Sequence, residues 1–115
     1  MRRWPVARAR RQPGELNKTE EAYRKHLEGQ KMLGNVLEYW FEGMKLKLAP
    51  STFYTPDFDV LTASGEIECH EVKGHWEDDA RVKIKVAASI YPFRFIAVKP
   101  RAKKDGGGWD TEEFR

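Results

Sequence analysis

The chain is 115 residues long, 40% hydrophobic and 34% charged, with a formal net charge of +3 and one cysteine. One compact domain fits that length, the hydrophobic share excludes a disordered polyelectrolyte, and a lone Cys69 excludes an intrachain disulfide or a Cys-x-x-Cys zinc or redox site. No apolar run is long enough to span a bilayer and the first residues lack the apolar stretch of a signal peptide, so the expectation is a protein with no membrane partner, working in the cytoplasm.

Residues 1–16 form a basic arm in which Arg2, Arg3, Arg8, Arg10 and Arg11 all precede the first acid, Glu15. Such a block of charge suits a polyanion, DNA first among candidates, and suits equally a tail that only keeps the chain solvated. A helix is predicted next, from about Lys18 to Leu33, with Asn17 as its cap and Gly34-Asn35 as its stop. At about 100° per residue, Glu20, Tyr23 and Leu27 share one face while Glu21, Lys25 and Met32 point elsewhere, so a carboxylate falls on the face to be buried. Asn17 and Glu20 also have the spacing of a capping box.

VLEYWFE and MKLKLA read as strands, APST as a turn, FYTPDFDVLT as a further strand, and Ser64-Gly65 as the turn into EIECHEVK, together an antiparallel meander. In the last of these a period of two sets Ile67, Cys69, Glu71 and Lys73 opposite Glu68, His70 and Val72. After Gly74 the spacing is helical. Val82, Val86, Ser89 and Ile90 form the stripe expected to face the sheet; Ile84, Ala87, Ala88 and Tyr91 form a second apolar stripe, which invites a subunit contact in a homodimer. FRFIAVK then returns as a strand, and strand, helix, strand makes a parallel crossover of expected right hand. Pro100 and Gly106 to Gly108 mark residues 100–115 as a flexible tail. The expected domain is thus residues 17–99, an α/β fold in the α+β sense: a mixed sheet flanked by helices in the order α-β-β-β-α-β.

Pro56-Asp57, thirteen intervening residues and Glu71-x-Lys73 form the most informative pattern, with Glu20 on the preceding helix. Apolar residues flank both halves: Phe53, Tyr54, Phe58 and Val60 surround Asp57, and Ile67, Cys69 and Val72 surround Glu71. Acids set into strands of this kind are costly to bury without a metal or a partner charge. Hard divalent cations prefer oxygen ligands, so Asp57 and Glu71 suit Mg²⁺, with Mn²⁺ able to substitute. Lys73, two residues beyond Glu71 on the same face, is placed to hydrogen-bond an attacking water or developing charge.

From about Asn17 to Lys99 the pattern resembles the PD-(D/E)XK nuclease superfamily, whose core is the restriction-endonuclease-like fold. More narrowly, NKTEEAY, FYTPDF and HEVKGHWEDDARVKIKVAASIYPFRFIAVK look like a small phage-associated family of Holliday-junction-resolvase-like nucleases. The resemblance implies a Mg²⁺-dependent endodeoxyribonuclease, with branched DNA as one candidate substrate. It implies catalytic roles for Glu20, Asp57, Glu71 and Lys73, and metal ligation by Asp57, Glu71, Glu20 and the backbone carbonyl of Val72. The Gln-x-x-x-Tyr element of exonuclease relatives is missing, since Ala87 stands four residues before Tyr91. Lys83 and Lys85 are candidate phosphate contacts on the second helix, beside the arginines of the arm. Asp59 is either a fourth acid or a solvated strand-end charge, His70 points away from Glu71, and His75 and Trp76 lie just beyond Lys73. Trp40 is more naturally a core residue than a base-stacking one. Two other functions fit the same residues: a non-cleaving nucleic-acid-binding module on this fold, and an interaction domain of a phage particle.

Overall fold

A computed structural model of the chain describes residues 15–73 and 78–115. The five arginines of the arm, with His75 and Trp76, lie outside the described residues.

The first helix, α1, runs from Lys18 to Met32 as the local code dictates. Both halves of the capping box are closed, the Glu20 amide donating to Asn17 Oδ1 at 2.8 Å and the Asn17 amide to Glu20 Oε1 at 2.9 Å. The helix ends where Gly34 takes up a left-handed φ of 86°. Glu20, Tyr23 and Leu27 are its buried residues, as the helical spacing predicts.

Five strands follow before the second helix: β1 (Val36–Phe41), β2 (Leu46–Ala49), β3 (Thr52–Tyr54), β4 (Phe58–Thr62) and β5 (Ile67–Val72). Then come α2 (Asp78–Ile90), β6 (Arg94–Pro100) and β7 (Trp109–Phe114). The main sheet has five strands in the order β1-β4-β5-β6-β7, and β2 pairs with β3 in a separate two-stranded sheet. Pairing is antiparallel everywhere except between β5 and β6, the two strands joined through α2. The expected order α-β-β-β-α-β is present as α1-β1-β4-β5-α2-β6, with the β2–β3 hairpin inserted into it and β7 added after it.

Three expectations require correction. FYTPDFDVLT is not one strand: the chain leaves β3 at Tyr54 and re-enters the main sheet only at Phe58. Pro56 lies between them, with no amide to give a ladder. Residues 100–115 are not a flexible tail and the domain does not stop at Lys99, because β7 pairs with β6 from Pro100↔Trp109 to Phe95↔Phe114. Gly106, Gly107 and Gly108 all have positive φ, so the glycine run turns the chain back on itself instead of loosening it. The faces of α2 are the reverse of those expected. Ile84 and Ala87 are buried at 1% and 0% exposure, whereas Val82 and Ile90 are exposed at 58% and 51%. Both stripes are apolar, and the one chosen carries the alanines that let the helix lie close against the sheet and the β2–β3 hairpin.

One helix covers each face of the sheet. On the α1 side Tyr23, Leu27, Val36, Phe58, Val60, Val72 and Val98 pack together. On the α2 side Leu46, Tyr54, Cys69, Ile84, Ala87, Phe95, Ala97 and Phe114 do so. Cys69 and Val72 fall on opposite sides, as the period of two along β5 requires. Full burial of side chains such as Phe58, Phe95 and Ile84 contributes about 1.5–3 kcal/mol each, before the entropy of ordering them. Among the described residues no helix is long and apolar enough to cross a membrane.

Candidate active site

The β4–β5 ladder runs only as far as Phe58↔His70. One residue beyond that pair, the side chain of Asp57 takes over from the backbone, its Oδ2 accepting the Val72 amide at 2.8 Å. Glu71, next to Val72, lies on the α2 side with its Oε1 accepting the Tyr54 hydroxyl at 2.6 Å and its Oε2 paired with Lys73 Nζ at 3.0 Å. The Lys73 amide donates to the Val98 carbonyl at 2.9 Å, which extends the parallel β5–β6 ladder and fixes where the lysine leaves the backbone. Asp57 and Glu71 are 8% and 7% exposed, and the Lys73 side chain is 27% exposed. The structure therefore brings Asp57, Glu71 and Lys73 together at one end of β4 and β5.

The charges in this cluster do not balance. Burial pushes the Asp57 carboxyl up to about 8, and the charge of Glu71 pushes it the same way; the Val72 amide pulls it down, and Glu20 and Lys73 contribute less. Burial, then Glu71, also raises the Tyr54 hydroxyl far above its ordinary range, so it remains a donor. The one ammonium here, Lys73, is paired with Glu71, and added positive charge beside Asp57 would favour its ionised form. Each carboxylate oxygen has two lone pairs, so the hydrogen bonds described leave acceptor capacity on both groups. Asp57 and Glu71 thus fit a hard divalent cation held by two carboxylates, with water and substrate oxygens as its other ligands.

Glu20 lies apart in role. It is 3% exposed and near enough for its charge to raise Asp57, but its Oε1 is engaged by the Asn17 amide across the helix cap. Among the described residues no three His, Cys, Asp or Glu side chains are grouped so as to hold a metal ion. The expected third acidic ligand is accordingly not assembled with Asp57 and Glu71. Val72 enters the cluster through its amide, while its side chain packs on the α1 side.

Asp59 is neither part of this cluster nor a solvated charge. It is 3% exposed, and neither of its carboxylate oxygens has a hydrogen-bond partner of ordinary geometry among the described residues. Burial pushes it up to about 6, while the nearby amides of Gly43 and Met44 pull the other way. Only glycine fits opposite it, since a Cβ on Gly43 would lie 2.8 Å from Asp59 Oδ2 and 3.0 Å from the Trp40 Cβ.

His70 serves the other face of the sheet, as its position in β5 predicts. Its Nδ1 meets the Tyr23 hydroxyl at 2.6 Å and its Nε2 meets Glu68 at 2.9 Å. The chain continues through Arg94, 3.0 Å from Glu68 and 2.7 Å from Glu113. This network ties α1 to three strands. Trp40, expected in the core, is 46% exposed on the edge strand β1.

Lys83 and Lys85 are exposed on α2, and Lys83 Nζ reaches the Phe53 carbonyl at 3.4 Å. Tyr54, the clamp on Glu71, is a site residue that sequence reasoning misses. An aromatic residue on a strand is core by default, and only its proximity to Pro56-Asp57 hints otherwise. Compared with known protein families, with curated proteins and with solved structures, the chain matches none.

Proposed function

We propose that this protein is a Mg²⁺-dependent endodeoxyribonuclease acting through Asp57, Glu71 and Lys73. One observation carries the reading: two neighbouring buried carboxyl groups stand at the ends of β4 and β5 beside one ammonium, Lys73, which pairs with Glu71, while burial and the charge of Glu71 push the Asp57 carboxyl up to about 8. Such an arrangement destabilises the fold unless a cation uses it. A divalent ion held by Asp57 and Glu71 would neutralise charge on the scissile phosphate and activate a water.

The chain's own residues do the rest. Tyr54 and Lys73 each hold one oxygen of Glu71, which fixes the direction in which its lone pairs point. The Val72 amide does the same for Asp57. Lys73 has donor protons beyond the one given to Glu71 and is the most exposed of the three, so it is the group that meets the phosphoryl oxygens where charge develops. Glu20 holds the helix cap beside them.

A junction-resolving version of this activity needs two sites related by a two-fold axis. The exposed stripe Val82, Val86 and Ile90, and not the side of Ile84 and the partly buried Tyr91 that packs into the fold, is the surface on which such a homodimer would form. A non-cleaving DNA-binding module is the second reading, favoured by the commitment of Glu20 to the cap.

The deciding experiment incubates the protein with Mg²⁺ and labelled four-way junction, flap, single-stranded and duplex DNA, alongside Asp57→Asn and Glu71→Gln. Cleavage by the wild type that both variants lose, with folding and binding retained, is the expected result. Activity in Glu71→Gln equal to wild type overturns the assignment. Binding without cleavage of any substrate establishes the second reading.

A further inference from the structure

The β2–β3 hairpin carries Tyr54 inward to Glu71 and, one residue earlier, Phe53 outward to solvent, where it is 39% exposed. Lys47 is the register partner of Phe53, which puts both on the outer face of the hairpin. Lys45, two residues before Lys47, has its ammonium 4.6 Å from the centroid of the Phe53 ring. Lys83 comes across from α2 to the carbonyl of the same residue at 3.4 Å. One ammonium thus lies over the exposed ring, a second reaches the backbone of the same residue, and a third lysine stands opposite it in the hairpin.

None of the three is neutralised. Arg24, Lys31, Arg81, Arg94 and Arg101 all pair with carboxylates, but Lys45, Lys47 and Lys83 form no salt bridge among the described residues. An exposed phenylalanine among uncompensated lysines is poorly suited to an apolar protein partner, which would have to desolvate the ammonium groups. It is well suited to a strand of nucleic acid whose phosphates meet the lysines and whose unstacked base meets the ring. A duplex keeps its bases stacked inside and offers the ring nothing equivalent.

We propose that the outer face of the β2–β3 hairpin, Lys45, Lys47 and Phe53 with Lys83 of α2, binds an unpaired nucleotide of a DNA strand. This rests on the nucleic-acid part of the reading above and adds the substrate class: DNA with a single-stranded segment next to the cleavage point. Phe53 and Asp57 are separated by no more than about 14 Å of extended chain, which bounds how far a nucleotide held here lies from the acid cluster.

The test is equilibrium binding of the full chain to a fluorescent single-stranded oligonucleotide and to the same sequence as a blunt duplex, in EDTA so that cleavage plays no part. The wild type should favour the single strand. Phe53→Ala should weaken single-strand binding by about 5- to 150-fold while leaving duplex binding nearly unchanged, and Phe53→Trp should restore it. Lys45→Gln and Lys83→Gln should each flatten the log–log salt dependence by about 0.7, with Lys99→Gln as a silent control. Equal losses on both DNAs in Phe53→Ala would reduce the hairpin to a plain phosphate contact and overturn the proposal. So would wild-type single-strand binding in Phe53→Ala, or no binding to either DNA by the wild type. Cleavage that depends on Glu71 but is indifferent to Phe53 overturns this inference alone; binding that depends on Phe53 without any cleavage overturns the nuclease alone.

Discussion

Replacing Ile84 with alanine should destabilise the protein severely, and replacing Val82 with alanine should hardly affect it, although both are aliphatic residues on the same helix. Ile84 is 1% exposed and sits in the cluster with Leu46, Tyr54, Ala87 and Phe95. Truncation to alanine removes three carbons, worth about 2.4 kcal/mol at roughly 0.8 kcal/mol each. The cavity left between α2 and the hairpin brings the expected loss to about 3–4 kcal/mol, within the usual ~2–5 kcal/mol for buried Ile→Ala. At ~2.1 cal/mol/K per residue, a chain of this length unfolds with an entropy of about 0.24 kcal/mol/K, so Tm should fall by roughly 12–16 °C. Val82 is 58% exposed, and its substitution should stay within about 0.5 kcal/mol, shifting Tm by ~2 °C. Far-UV circular dichroism melts of the two variants and the wild type decide the matter. A Val82→Ala loss equal to or larger than that of Ile84→Ala would refute the packing of α2 described above. A Val82→Ala loss that appears only at high protein concentration would instead locate the dimer surface.

Three further outcomes follow from the site and its surroundings. Asp59 has a folded pKa raised from 3.8 to about 6, so its stabilising effect is complete below about pH 4 and is lost as pH rises through 6. Asp59→Asn should therefore gain on the order of 1–3 kcal/mol in urea denaturation near pH 7.5 and little near pH 4; a gain independent of pH would show that its carboxylate is not under strain. Tyr54→Phe leaves one oxygen of a buried carboxylate without its donor and should cost about 1.5–3 kcal/mol of stability, with slower cleavage; unchanged stability would mean that Glu71 does not depend on the tyrosine. Glu20→Gln can keep the capping box and should change stability by no more than about 1 kcal/mol while leaving cleavage intact, whereas a large loss of activity with normal stability would return Glu20 to the metal site.

What the sequence made legible was whatever depends on near neighbours. Asn17, Glu20 and Gly34 delimit α1 through contacts within three or four residues, and the Ser64-Gly65 turn needs nothing from the rest of the chain. The face of α2 is not legible in the sequence, because its two apolar stripes are distinguished only by partners distant in the chain, the hairpin some 30 residues before it and the sheet residues Phe95 and Phe114 after it. A glycine run serves a loose linker and a tight return equally well, so the end of the chain is not legible locally; what decides it is that Phe114 finds a buried place beside Phe95. At the site, the spacing of Asp57, Glu71 and Lys73 was enough to group them. The double use of Glu20 could not be resolved from spacing, since the same position satisfies a cap and faces the acids.

The main sheet is also two antiparallel units, β1-β4-β5 and β6-β7, joined along a single seam where β5 runs parallel to β6. Each unit can form from contacts that are local or nearly so, but the seam closes only after α2 has carried the chain across. Glu71 and Val72 are the last residues of β5 along that seam, and the amide of Lys73, just past the strand, is stitched to Val98 on the far side. An opening of the seam would therefore release Lys73 from its anchor while leaving Asp57 on the Val72 amide and both antiparallel units paired. Hydrogen exchange should find it as a subglobal event that releases the Lys73 amide while the Val72 amide, held by Asp57 within the first unit, stays protected. Whatever binds only the closed cluster, Lys73 included, should slow that release by mass action, so the protection of one backbone amide would report occupancy of the site without any turnover.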